Sequence, residues 1–168
     1  MRVTANLGLS SGYIISTSTN YLALGNYANL TLGASVNSFV SGPFKKIGQT
    51  WPPTAPFTFP TGKIIGTEYH YRPIRISTPV NFTDEYTAEF HRANPQTVNG
   101  SSPISPTAIA AGLATVSACE YWDLTKSIGA ANLDVTLSWS NHPSGRSRCN
   151  VGAYVNNLSE LVVVPYYN

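Results

Sequence analysis

From Phe57 onward, apolar and polar residues alternate with period two, which predicts strands with one buried face. Tyr86-Thr-Ala-Glu-Phe-His91 sets Tyr86, Ala88 and Phe90 on one side and Thr87, Glu89 and His91 on the other. Leu133-Asp-Val-Thr-Leu-Ser-Trp139 turns Leu133, Val135, Leu137 and Trp139 inward and Asp134, Thr136 and Ser138 outward. Leu161-Val-Val-Val164 is a continuous apolar run, as in a strand buried on both faces or one that pairs with a neighbour. Asn94-Pro95, Asn99-Gly100 and His142-Pro143-Ser-Gly145 punctuate these runs as turns. The sole helix candidate, Pro106 to Leu113, is short and interrupted by glycine. Residues 57–168 therefore predict an antiparallel β-sandwich.

Residues 1–44 read differently. Asn6-Leu-Gly-Leu9 recurs as Asn29-Leu-Thr-Leu32, with Tyr13-Ile-Ile15 and Tyr21-Leu-Ala-Leu24 between them, each bounded by Ser, Thr, Asn or Gly. Short apolar strands repeating at this interval fit one β-helix-like coil, and two ordinary β-hairpins are the alternative. A lone coil leaves a bare stacking edge, because solenoids need about three repeats to be stable. It is expected to stack on something outside the chain or on the neighbouring domain. Residues 45–56 form a Pro-rich connector, since Pro52, Pro53 and Pro56 oppose both helix and central strand. The fold class is thus all-β, a β-helix-like coil or short strands leading into an antiparallel β-sandwich.

Composition narrows the role. Charged residues make up 11% of the 168, against roughly 25% in an ordinary domain. Ten Tyr and three Trp argue against a disordered chain. The net charge is +2 with scattered cations, Lys45-Lys46 being the nearest to a cluster, which disfavours a nucleic-acid partner. No apolar run reaches the roughly 20 residues of a membrane span. Met1-Arg-Val-Thr4 lacks the form of a secretory signal, so either a signal has been removed or, the preferred expectation, the chain is cut from a longer precursor. Cys119 and Cys149 either bridge, contributing about 3–4 kcal/mol, or are two separate buried thiols. Sequons begin at Asn29, Asn81, Asn99 and Asn157.

A distributed set of residues carries a family resemblance. It comprises Ser38-Phe-Val-Ser-Gly-Pro43 with Lys45-Lys46, Phe57-Thr-Phe-Pro-Thr-Gly-Lys63, Tyr71-Arg-Pro73, Glu89-Phe90 with Asn94-Pro95, Glu120-Tyr-Trp-Asp-Leu124, Val135-Thr-Leu-Ser-Trp139 and Asn157-Leu-Ser-Glu-Leu161. Residues 38–168 so resemble a module of large secreted cell-surface proteins of the Bacteroidetes, many exported with a C-terminal sorting domain. The resemblance implies an adhesive or structural role at the cell surface, preceded by a repetitive segment like residues 1–37. The chain departs from the family's compact form at Gln49–Pro56 and lacks the sorting domain.

Candidate chemistry is sparse. The sequence has no Gly-x-Ser-x-Gly, His-Glu-x-x-His, Walker loop or dinucleotide fingerprint, so no enzyme is expected. Glu68 with His70 and Glu89 with His91 share strand faces, and adjacent strands would gather a Zn or Cu site; solvated polar faces are the preferred reading. Asp84, Glu85 and Glu89 are the closest carboxylates, but Asp84 and Glu85 are turn neighbours that would point apart in a strand, which disfavours a glycosidase pair; with Asn81 they are candidate Ca²⁺ oxygens. Trp51 with Tyr69 and Tyr71 form a candidate glycan-stacking platform, while Trp122 and Trp139 are assigned to the core. Leu7, Leu9, Leu161, Val162, Val163 and Val164 mark candidate assembly edges. The reading is a non-catalytic extracellular module joining neighbouring modules or identical subunits, head to tail in a surface filament or within one polypeptide. A carbohydrate-binding module, with surface polysaccharide as partner, is the alternative.

Overall fold

The computed structural model describes residues 1–95, 117, 119–139, 159, 162 and 163. The chain divides into two compact units, Met1–Arg92 with Glu120–Ser138, and Ala93–Cys119 with Trp139–Asn168. All the described strands belong to the first unit, and the protein is all-β. The helix candidate at 106–113 lies outside the described residues.

The first strands are short because Ser, Thr, Asn and Gly interrupt them, and they pair side by side in parallel. β1 (Arg2–Val3) lies beside β4 (Leu22–Leu24), and β4 beside β7 (Phe44–Ile47). β2 (Leu7–Gly8) pairs with β5 (Leu30–Leu32). β3 (Ile14–Ile15) pairs with β6 (Val40–Ser41), which pairs with β9 (Thr61–Ile65). All these pairs are parallel, which a hairpin cannot supply, so the two-hairpin alternative for residues 1–44 is overturned. The repeated Asn-Leu-x-Leu starts in register, but an irregularity after Leu7 sets Gly8 rather than Leu9 opposite Leu32. Leu7 sits opposite Leu30, and the Asn29 N–H donates to Asn6 Oδ1 at 3.3 Å.

Successive ladder partners stack their side chains in columns. Val3, Leu24 and Lys46 form one column, and Ile14, Val40 and Thr61 another. The turn after β6 depends on Gly42, at φ +118°, where any Cβ would overlap the Ser16 carbonyl. The Ser16 hydroxyl fastens the same turn by donating to the Pro43 carbonyl at 2.8 Å.

Beyond β7 and β9 the pairing turns antiparallel. β12 (Glu85–His91) pairs with β7 and with β13 (Tyr121–Ile128); β10 (Glu68–Tyr71) pairs with β9. β11 (Ile74–Ile76) lies between β8 (Phe57–Phe59) and β14 (Val135–Leu137). The result is a five-stranded sheet β1-β4-β7-β12-β13, a four-stranded sheet β10-β9-β6-β3, a three-stranded sheet β14-β11-β8 and the pair β2-β5. Their inner faces enclose one core in a sandwich-like arrangement. Leu24, Phe44, Tyr86 and Ala88 come from the first sheet, Val40 from the second, and Phe57, Phe59, Ile74 and Ile76 from the third. Each fully buried phenylalanine here contributes roughly 1.5–3 kcal/mol.

β12 alternates as the pattern predicts, with Tyr86, Ala88 and Phe90 buried and Thr87, Glu89 and His91 half-buried. The segment 133–139 departs from its prediction. Leu133 and Leu137 pack on the core, but Val135 is 38% and Trp139 36% exposed. β14 is a three-residue edge strand, so its apolar row outruns the sheet beside it. Trp122 is half-buried against Phe90 and donates to the Arg72 carbonyl at 3.1 Å.

Candidate functional site

Glu68 and His70 share a face of β10, with His70 Nε2 3.2 Å from Glu68 Oε2. Burial, aided by the Arg92 charge, lowers the His70 pKa against the pull of Glu68. On β12, His91 Nε2 lies 2.9 Å from Asp123 Oδ2 and 3.9 Å from Glu89, and Lys63 is 3.6 Å from Glu89. β10 and β12 are not ladder neighbours, so the two Glu-His pairs sit on separate strands held by separate partners. Among the described residues no group of three or more His, Cys, Asp or Glu is placed to hold a metal ion.

The candidate calcium oxygens diverge. Asp84 is fully buried and accepts from the Val80 N–H, the Asn81 N–H and the Asn81 amide at 3.0–3.3 Å, locking the turn that leads into β12. Its neighbour Glu85 turns to Lys45 at 2.8 Å and receives a bond from Ser127. The Lys45 hydrogen bond holds the Glu85 pKa below its usual value, and Glu85 raises that of Lys45. Both described sequon amides are engaged, Asn29 with the Trp51 carbonyl at 2.6 Å and Asn81 with Asp84. Asn99 and Asn157 lie outside the described residues. Cys119 is disulfide-bonded, and Cys149 lies outside the described residues.

The aromatic candidates fall into two groups, Trp51 with Tyr27, and Tyr69 and Tyr71 joined through Tyr13 and Phe39. Trp51 is 62% exposed and meets Tyr27 edge-on at 5.7 Å. Tyr69 stacks on Tyr13 at 4.8 Å, while the half-buried Tyr71 lies 6.2 Å from Phe39. Among the described residues no ring contact joins Trp51 to Tyr69 or Tyr71. Tyr13 and Tyr27 escape a sequence reading because the rings they meet, Tyr69 and Trp51, lie far off along the chain.

The parallel ladders supply the most distinctive surface. Among the described strands, β1 and β3 are edges of their sheets, and β2 pairs only with β5. The Ile14 and Ser16 N–H groups donate to Phe39 and Ser41 at 3.1 and 3.0 Å, which leaves the Ile15 N–H and carbonyl facing away from the ladder. Val3, Leu7 and Ile14, one from each ladder, pack on the core yet are only half-buried, whereas Leu24 and Val40 in the next layer are 0% exposed. Ile15 is 66% exposed beside them. A groove of about 640 Å³ runs between β3 and the outer face of β1, β4 and β7, with Arg2, Ile15, Tyr21 and the Lys45–Glu85 pair in its walls. Among the described residues, three one-sided strands and an apolar interior end there together.

The assembly residues named from sequence are distributed unevenly. Leu7 belongs to this end, whereas Leu9 is 4% exposed, its side chain taken into the interior. Val162 and Val163 are 62% and 52% exposed, in no regular element. Leu161 and Val164 lie outside the described residues.

No family model matches the chain, and neither a curated protein nor a solved structure matches it.

Proposed function

We propose that the protein is a non-catalytic structural or adhesive module of an extracellular surface, joined to neighbouring polypeptide through the open end of its parallel ladders. In this reading residues 1–65 are turns of a β-helix-like coil leading into the sandwich-like part. The observation that carries it is the coincidence of three one-sided strands, β1, β2 and β3, with the half-buried core residues Val3, Leu7 and Ile14. Edges of soluble domains are ordinarily blunted by charge, proline or a covering segment. Here the three strands carry one charged residue, Arg2, and no proline. The Cys119 disulfide favours an oxidising compartment, and the resemblance to Bacteroidetes surface modules favours the same location.

A photo-crosslinking residue at Ile15, in protein made in its own cells, tests this. The expected result is crosslinking to a neighbouring segment or module, with none from the same residue at exposed Arg75 on β11. Equal, diffuse labelling from both positions would contradict the reading.

A second reading, glycan binding, is favoured by the exposed Trp51 standing against Tyr27. It requires Trp51→Ala to abolish binding on a glycan array.

A further inference from the structure

The open end carries an instruction about what fits it, and we infer that its occupant is a parallel strand layer bearing an asparagine in register with Asn6, not a second copy of this chain. The inference rests on the proposed docking role and specifies the partner.

A staircase of carboxamides links the layers. Asn6 Oδ1 accepts from the Asn29 N–H at 3.3 Å, 23 residues on. Asn29 repeats the step with Trp51, 22 residues further, accepting its N–H at 3.1 Å and donating to its carbonyl at 2.6 Å. Asn26 does the same for the Gln49 N–H at 2.9 Å. Each side chain thus satisfies a backbone group of the layer that follows. Asn29 receives this service through its N–H, while its carbonyl accepts from the Leu7 N–H at 2.9 Å. Asn6 occupies the equivalent place one repeat earlier, so its own N–H and carbonyl address the open end. A preceding layer that continued the series would set a side-chain amide oxygen over the Asn6 N–H and aliphatic side chains over Val3, Leu7 and Ile14.

Polarity excludes the described strands as the source of that layer. At the other end of the stack, the last strands of two of the three parallel ladders are already paired antiparallel, β7 with β12 and β9 with β10, while β5 has no ladder partner besides β2 among the described strands. In those two ladders the stack accepts parallel strands on one side only. Head-to-tail addition of identical copies therefore lacks a complementary surface at two of the three ladders, and the sandwich-like part caps the parallel stack there.

The experiment adds a layer of the stated kind. A direct repeat of residues 1–23 placed ahead of Met1 sets a second asparagine 23 residues before Asn6, and amide hydrogen exchange is read residue by residue. The expected result is at least tenfold slower exchange at Asn6, Gly8 and Ile15, with a raised melting temperature. Replacing the added asparagine by alanine should return Asn6, but not Ile15, towards its original rate. Unchanged exchange at all three, or slowing indifferent to the added asparagine, overturns the inference. So does a symmetric dimer of the unmodified chain that protects Ile15 in a concentration-dependent way, because the occupant is then a second copy. Crosslinking at Ile15 to a segment of any other kind would preserve the docking role while rejecting this partner.

Discussion

Lys46 sits in the core column behind Val3 and Leu24 and is 0% exposed. Its ammonium donates to the carbonyls of Gly25 at 2.7 Å, Gln49 at 2.7 Å and Ile47 at 3.0 Å, over the Phe57 ring. Burial lowers its pKa from 10.5 to about 8. The folded pKa lies below the unfolded one, so between them the unfolded chain binds more protons, and stability rises with pH across that window. Integrated from pH 7.5 to 9.5, the gain is about 2 kcal/mol. Above that range tyrosines enter; burial raises the pKa of Tyr71 and Tyr86, so their ionisation destabilises the fold as pH rises further.

Lys46→Met removes the titrating group. The Gly25 carbonyl keeps the Ala28 N–H at 3.2 Å and the Gln49 carbonyl keeps the Tyr27 N–H at 2.9 Å, so neither is orphaned. Losing a second bond costs about 1 kcal/mol at each, offset by relief of the buried charge, and the net change at pH 7.5 should stay below about 2 kcal/mol. Urea unfolding at several pH values reads both quantities. The variant should lose the rise between pH 7.5 and 9.5. A wild type whose stability is flat over that interval, or a variant that retains the rise, would refute the reasoning.

Ile15→Pro removes only the outward N–H of β3 and should leave the melting temperature nearly unchanged while abolishing crosslinking from a probe at neighbouring Thr17. Gly42→Ala places a Cβ against the Ser16 carbonyl at positive φ and should destabilise by about 3 kcal/mol or more in chemical denaturation. Asn29→Ala loses both bonds to Trp51 and should cost about 1–2 kcal/mol, with faster proteolysis in 49–56. Phe59→Ala empties a site that is 0% exposed and should cost about 3–5 kcal/mol, measured the same way.

Much of this was legible where side-chain pattern alone decides structure. The period-two row of Tyr86, Ala88 and Phe90 yielded β12, and the 23-residue recurrence of Asn-Leu-x-Leu marks where the parallel register of Leu7 with Leu30 begins, though it slips by the next leucine. Interactions made through the backbone were not legible. Lys45-Lys46 reads as a small basic cluster, yet Lys45 faces Glu85 outside while Lys46 points into the core, because β7 alternates and Lys46 finds carbonyls rather than a carboxylate. The match of Phe44-x-Lys46 to Leu22-x-Leu24 was the available signal, hidden by the charge. Trp51 and Tyr69 looked like one platform because exposure was judged without knowing which ladder each ring joins. Trp139 and Val135 share an inward row by pattern, but a short edge strand leaves part of that row uncovered.

Hydrogen exchange at Arg2, Gly8 and Ile15, compared between the dilute purified chain and the protein in its own cells, probes the proposed docking end most directly. Rapid exchange in solution and strong protection in place is the predicted outcome. Protection already complete in the dilute monomer, or equally fast exchange in both settings, would mean that these three strands await no neighbour.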